Sequence, residues 1–495
     1  MVIMRKRRKK NPLAESKDQR IAELEEQLAQ ALATIQQLQK LQKEVERLQA
    51  EVEELKRAGK RQAAPFARRK WVEHPKKSGR KAGKGQFARR EKPSLKQITE
   101  TKIAKLQGCP ACGGKLCEIH THEHAYGSVT DIPAVKVITT RFVTYSGYCG
   151  ECHKRVRSQH PDQTSNATGA AGVQVGPRAK ALATDLKHRL GVSYGKVSEV
   201  LQDAFGLQVS RSGWCQSDQK LSNTARPVYE ELLEMIRQCS VVHADETGWR
   251  IGTLAAWLWV FTNSEATVYT IRANRSSDVV VDVLGQEFKG ILASDCFLAY
   301  DDKRLKTWLK QKCLSHLLKD LKEMQESKSG RALQFARQMT TILQEALALK
   351  RQKFNLDPFT FFQHARDLEA RLDALIAPQR RLSNCDNARF ARRLRKHRPH
   401  LLRFLYIKEL DATNNLAERM LRPAVITRKT NGCNRSKPGA ATHAILSSVL
   451  VTCHQHAIPI LDYLVQLQRF GGNPPPLVSA IPLQLEAPSL PCVQR

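Results

Sequence analysis

Two short apolar runs, each broken by an aspartate, constrain this chain most. Residues 240–244 lead into Asp245 and residues 290–294 lead into Asp295. Runs of that length suit buried strands, and a carboxylate where such a strand ends faces the cleft in which open sheets usually place their chemistry. Between the two aspartates, β-branched and aromatic runs predict strands at 256–262 and 267–272, and an apolar helical pattern covers 276–284.

Three strands, a helix and a further strand form the order of a ribonuclease-H-like α/β domain. In that fold the first and fourth strands lie side by side, which brings Asp245 and Asp295 together. Two bare carboxylates so placed repel and one takes up a proton, so a metal ion between them is physically sensible. A third acid, Glu418, sits in the helical-looking stretch 414–423. Three acids converging from separate elements suggest a two-metal site. In-line displacement at a phosphodiester uses hard divalent ions with oxygen ligands, Mg2+ or Mn2+. Taken singly, each acid also reads as a turn residue or a helix salt-bridge partner, for Glu418 with Arg422 at i+4. Arg419, Arg422, Arg428 and Lys429 surround Glu418 with positive charge suited to DNA phosphates.

A length of 495 residues implies several domains, and 41% hydrophobic residues supply real cores. The formal net charge of +33 points to a polyanion, by default double-stranded DNA. A membrane is the rival partner for such charge, but no apolar run reaches the ~18 residues of a spanning helix. The basic N-terminus lacks the apolar core of a signal peptide, so a cytoplasmic location is expected. Thirteen cysteines are an odd number in a long chain, and four form two Cys-x-x-Cys pairs, which favours reduced thiols and a metal over disulfides.

The rest of the chain divides by composition. Residues 1–58 hold a basic tail and then a heptad seam of Ile21, Leu24, Leu28, Ala31, Ile35, Leu38, Leu41, Val45, Leu48, Val52 and Leu55, interrupted by one extra step of three. That pattern predicts a coiled coil and a homo-oligomer. Residues 59–105 read as a basic linker. In 106–160, Cys109, Cys112, Cys149 and Cys152 have the spacing of a zinc ribbon holding one structural Zn2+, with the stretch 134–148 expected to be strand-rich. Residues 169–235 read as a helical, helix-turn-helix-like DNA-binding segment, with helices at 178–190 and 194–205 and a third starting at Ser210. The catalytic core is expected over 236–470 with an all-helical insertion at 317–407, whose basic face includes Arg389, Arg392, Arg393, Arg395 and Lys396. Cys313 and His316 are expected to pack the start of that insertion beside the acids. Residues 471–495 are Pro-rich and aperiodic, and read as a disordered tail.

Four stretches together resemble a known family. They are Asp245-Glu246-Thr247-Gly248-Trp249, Ser294-Asp295-Cys296-Phe297-Leu298-Ala299-Tyr300, Cys313-Leu314-Ser315-His316, and Asn414-Asn415-Leu416-Ala417-Glu418-Arg419-Met420-Leu421-Arg422-Pro423 followed by Arg428-Lys429. The set is similar to DDE transposases of the insertion-sequence-66 type, and the order of coiled coil, ribbon, helical segment and core is that family's order. The resemblance implies a bacterial, nucleoid-associated enzyme that cuts and joins DNA at the ends of its own element. It also implies Asp245, Asp295 and Glu418 as metal ligands, and possible accessory proteins of the same element. Two other readings stand beside it: an element remnant that only binds DNA, and a structure-specific nuclease.

Overall fold

The computed structural model describes most of residues 24–48, then 93–120, 129–160, 162–163, 174–382, 384–469 and 476–477. The basic tail, residues 59–92 of the linker and most of 471–495 lie outside the described residues. Within the expected tail, Leu477 is buried in the main core. The chain divides into two compact units, residues 67–141 with 200–207, and residues 1–66, 142–199 and 208–495. Among the described residues no helix is long and apolar enough to cross a membrane.

Around the second cysteine pair, β1 (Ser146–Tyr148) and β2 (Arg155–Arg157) form an antiparallel hairpin. The stretch 134–148 is less strand-rich than expected, since only β1 is a strand there. Its apolar residues Val135, Val137, Ile138 and Val143 are exposed, so no packed face selects an extended ladder.

Four helices follow: α1 (Pro177–His188), α2 (Tyr194–Phe205), α3 (Arg211–Thr224) and α4 (Arg226–Gln238). Pro177 starts α1, where a missing N–H costs nothing, and the Ser210 hydroxyl caps α3 by accepting from Gly213 N. These helices do not all stand apart as a DNA reader. Ala181, Leu221, Val228, Leu232 and Ile236 share one core with sheet residues Val242, Ala244, Trp259 and Phe261.

The central sheet has five strands in the order β5-β4-β3-β6-β7. They are β3 (Val241–Ile251), β4 (Leu254–Thr262), β5 (Thr267–Arg272), β6 (Ile291–Ser294) and β7 (Leu309–Lys312). The first three form an antiparallel meander, while β6 is parallel to β3 and β7 parallel to β6. The β3–β4 turn has two residues, and its first, Gly252, lies at φ +61, where a side chain would be strained. A parallel partner needs a crossover, and α5 (Ser277–Leu284) supplies it between β5 and β6.

From β7 the chain enters α6 (Leu314–Glu326), α7 (Gly330–Gln352), α8 (Pro358–Ile376) and α9 (Cys385–His397), which form their own core with Val241 and Ile291 of the sheet. The described part of the expected insertion is helical with short connections. The chain returns in α10 (Asn415–Asn431), α11 (Lys437–Gln455) and α12 (Ile460–Arg469). Helix α10 runs through Pro423, although a proline there removes one backbone bond. Ala417, Leu421 and Ala424 hold it against Leu258, Val260 and Tyr269 of the sheet, and Gly432 ends it at φ +71.

Candidate metal centre

Strand periodicity decides which face each acid takes. On β3, Val242 and Ala244 point into the core shared with α4 and α5, so Asp245 and Trp249 fall on the opposite face, the face that α10 covers. Glu246 points the other way. It accepts from Tyr300 Oη at 2.6 Å and from Arg275 Nε at 2.8 Å, and the Arg275 guanidinium lies over Phe297 and Trp257. Glu246 is thus a neutralised structural acid, while among the described residues no ion pair joins Asp245 to a cation.

The register of β3 on β6 pairs His243 with Ala293. Two residues further on, Asp245 and Asp295 therefore stand opposite each other on one face. Asp245 is not at a strand end, as expected from sequence, because β3 continues along β4 to Ile251. It stands instead just past the last β3–β6 pair, which has the same effect on that side of the sheet.

Burial first, then the charges of Glu246 and Asp295, push the Asp245 carboxyl up to about 7. Phe297 N donates to Asp295 Oδ1 at 2.9 Å, which orients the second acid. Beneath that loop the wholly buried Lys312 donates to Asp295 O at 2.9 Å and pairs with Asp301 at 2.9 Å.

Glu418 enters from the first turn of α10. Its Oε1 is 3.7 Å from Nδ1 of His316 on α6, and among the described residues no ion pair joins it to Arg422. Cys313, His316 and Glu418 offer ligand atoms within 4.8 Å of one another. The Cys313 thiol, together with Asp295 and Glu418, pushes the His316 imidazole up to about 9. His316 Nδ1 is buried without a hydrogen-bond partner. Glu418 is the one carboxylate of that group, and Asp245 and Asp295 lie outside it; a thiol, a carboxylate and an orphaned ring nitrogen are donors that could hold a divalent cation.

The basic residues expected around Glu418 divide. Arg419, Arg422 and Lys429 are exposed. Arg428 is committed to β3 instead, donating to Thr247 Oγ1 at 2.9 Å and to Gly248 O at 2.6 Å.

A family model described as Transposase IS66 family matches residues 172–442, more than half of the chain. The chain belongs to the IS66 transposase family. The matched span runs from just before α1 into α11 and includes Asp245, Asp295, His316 and Glu418. The uncharacterized protein y4qI of Sinorhizobium fredii is 26% identical over 295 residues, 53% of this chain and 53% of that protein. The chain thus spans about half the length of that relative.

Two further features around these acids had weak signals in the sequence. Lys312 lies on β7, whose residues Leu309-Lys310-Gln311-Lys312 carry no apolar run, and no strand was expected there. His316 was expected only to pack beside the acids. The Cys-x-x-His spacing at a helix start, Cys313 being the residue that precedes α6, is the signal that places it one turn into α6, facing Glu418.

Proposed function

We propose that this chain is a DDE-type transposase that hydrolyses the phosphodiester at the ends of its own element and joins the freed 3'-hydroxyl to target DNA. The observation that carries this reading is the register that sets Asp245 opposite Asp295, with Glu418 brought to the same face by α10. The sheet order supports a ribonuclease-H-like core, three antiparallel strands followed by two parallel ones. Asp245, Asp295 and Glu418 would hold Mg2+ or Mn2+, with His316 at the edge of the set. Such ions, when bound, make an attacking oxygen anionic and steady the leaving oxygen.

The chain's own groups supply the positioning. Phe297 N and Lys312 fix the two ends of Asp295, and Arg275 with Tyr300 neutralises Glu246 so that it does not compete for the cation. Arg419, Arg422 and Lys429 are available to the phosphates of the scissile strand. Cys109, Cys112, Cys149 and Cys152 would share one Zn2+, and the helical seam within 21–55 would join copies.

Labelled element-end DNA with the full chain and Mg2+ tests the reading. Asp245→Asn, Asp295→Asn and Glu418→Gln should each lower cleavage and joining by at least about a thousandfold, with end binding in a gel shift unchanged. Glu409→Gln, at an exposed position in the loop before α10, should leave both intact. Joining activity retained by Glu418→Gln would remove that residue from the site.

A further inference from the structure

Asn414 precedes α10 and is wholly buried. Asparagine at this position usually caps its own helix by accepting from a backbone N–H two or three residues on. Here the side chain makes no such bond. Its Nδ2 donates to Ala244 O at 2.8 Å, beyond the last β3–β6 pair. With the amide nitrogen so committed, Oδ1 is the acceptor and His243 Nδ1 the donor, at 3.1 Å. The backbone of the same residue is engaged as well. Asn414 N donates to Cys313 Sγ at 3.1 Å, and Asn414 O accepts from Glu418 N at 3.1 Å.

Each of these partners adjoins an acid. Ala244 precedes Asp245 in β3. Cys313 donates its own N–H to Ser294 O at 2.8 Å, and Ser294 precedes Asp295. Glu418 is reached directly. One buried residue therefore ties together the three backbones that carry the carboxylates, and it has given up its helix cap to do so. A purely structural cap would have used the amide on α10, where the N–H groups of the first turn need partners.

We infer that Asn414 is a positioning residue that fixes Glu418 against Asp245 and Asp295, so that the three carboxylates meet a divalent cation at one geometry. This rests on the three-acid reading above. Groups that orient metal ligands without touching the metal commonly change its affinity by about 10–100-fold when removed.

The test uses the full chain and three readouts: Mn2+ affinity from the paramagnetic signal of free Mn2+, melting temperature without metal, and end cleavage in Mg2+ or Mn2+. Asn414→Ala is expected to weaken Mn2+ binding by about tenfold or more. Mg2+-supported cleavage should fall further than cleavage in Mn2+, which tolerates looser geometry, and end binding should be unchanged. Asn415→Ala, the exposed neighbour, should bind Mn2+ like the unaltered chain. Mn2+ affinity within twofold of the unaltered chain in Asn414→Ala, with only a lower melting temperature, would overturn the inference and leave Asn414 a stabilising residue. Should that variant not fold, His243→Ala removes the donor to Oδ1 and leaves the bond to Ala244, and unchanged Mn2+ affinity there overturns it equally. If Glu418→Gln binds Mn2+ normally, the three-acid reading itself fails and this inference with it.

Discussion

At the scale of single residues, the site is built by giving similar groups different partners. Asp245 and Glu246 are adjacent acids, yet alternation along β3 sends them to opposite faces. Glu246 meets Arg275 and Tyr300, while Asp245 meets Asp295 across the sheet. Lys312 shows how costly the support is. Burial alone would raise the Asp301 carboxyl, but Lys312 and His397 hold it below its usual value. Removing one partner of a buried pair leaves the other charge uncompensated, at about 3–5 kcal/mol. Lys312→Met should therefore shift the urea midpoint down by an amount corresponding to that range. It should also reduce cleavage, because the same ammonium holds Asp295 O. A midpoint within about 1 kcal/mol of the unaltered chain would mean that Lys396 and His397 already suffice for Asp301.

At the scale of elements, helix and strand patterns were legible where one face is apolar, and failed where burial is polar. Strand β5 and helix α2 were read to the residue, at 267–272 and 194–205, and helix α5 nearly so. Strand β7 was not, because its residues Lys310, Gln311 and Lys312 are polar yet buried, the last two by specific partners: Gln311 bonds Leu401 O and Phe404 N, and Lys312 bonds Asp301. No hydrophobic period announces such a strand. In the helical segment, Thr184 and His188 of α1 meet Asp218 of α3 at 2.6 and 3.0 Å, and His188 meets His443 of α11 at 3.0 Å. These bonds tie α1 and α3 to α11, an arrangement that spacing along the chain does not encode. The two cysteine knuckles are each turned by their own backbone bonds, Gly113 N to Cys109 O and His153 N to Cys149 O. Backbone N–H groups lower the thiols of Cys109 and Cys149, which favours the thiolate form that a metal would take. Elemental analysis of the full chain should give one zinc per chain, and Cys109→Ser with Cys149→Ser should remove it. Zinc retained in that double variant would move the metal to other ligands.

At the scale of the whole molecule, the open question is what covers the N-terminal seam. The described residues between 24 and 48 are helical. Leu24, Leu28, Ile35, Leu38, Leu41, Val45 and Leu48 are 47–60% exposed in the single chain. A fully covered leucine is worth about 1.5–3 kcal/mol, so several together favour association strongly. A second copy offers the matching heptad. Deleting residues 21–55 should lower the mass measured by light scattering to that of one chain. An unchanged mass would place the self-association surface elsewhere.

Local sequence determined the apolar strands, the helical insertion, the cysteine pairs and the heptad seam, because each is a periodicity or spacing that acts over a few residues. It also marked Asp245, Asp295 and Glu418, since an acid that ends an apolar run or sits in a motif is visible without a fold. Only the tertiary structure decided which acids meet and which are neutralised. Strand register sets Asp245 against Asp295, the opposite face removes Glu246, and Arg428 is drawn to the β3 backbone although Arg419, Arg422 and Lys429 stay exposed. The buried partners of Lys312 and Asn414 come from segments up to 171 residues away in the chain. Hydrogen bonds and ion pairs of that kind depend on angle and on a few tenths of an ångström, and such geometry exists only once the sheet and helices have packed.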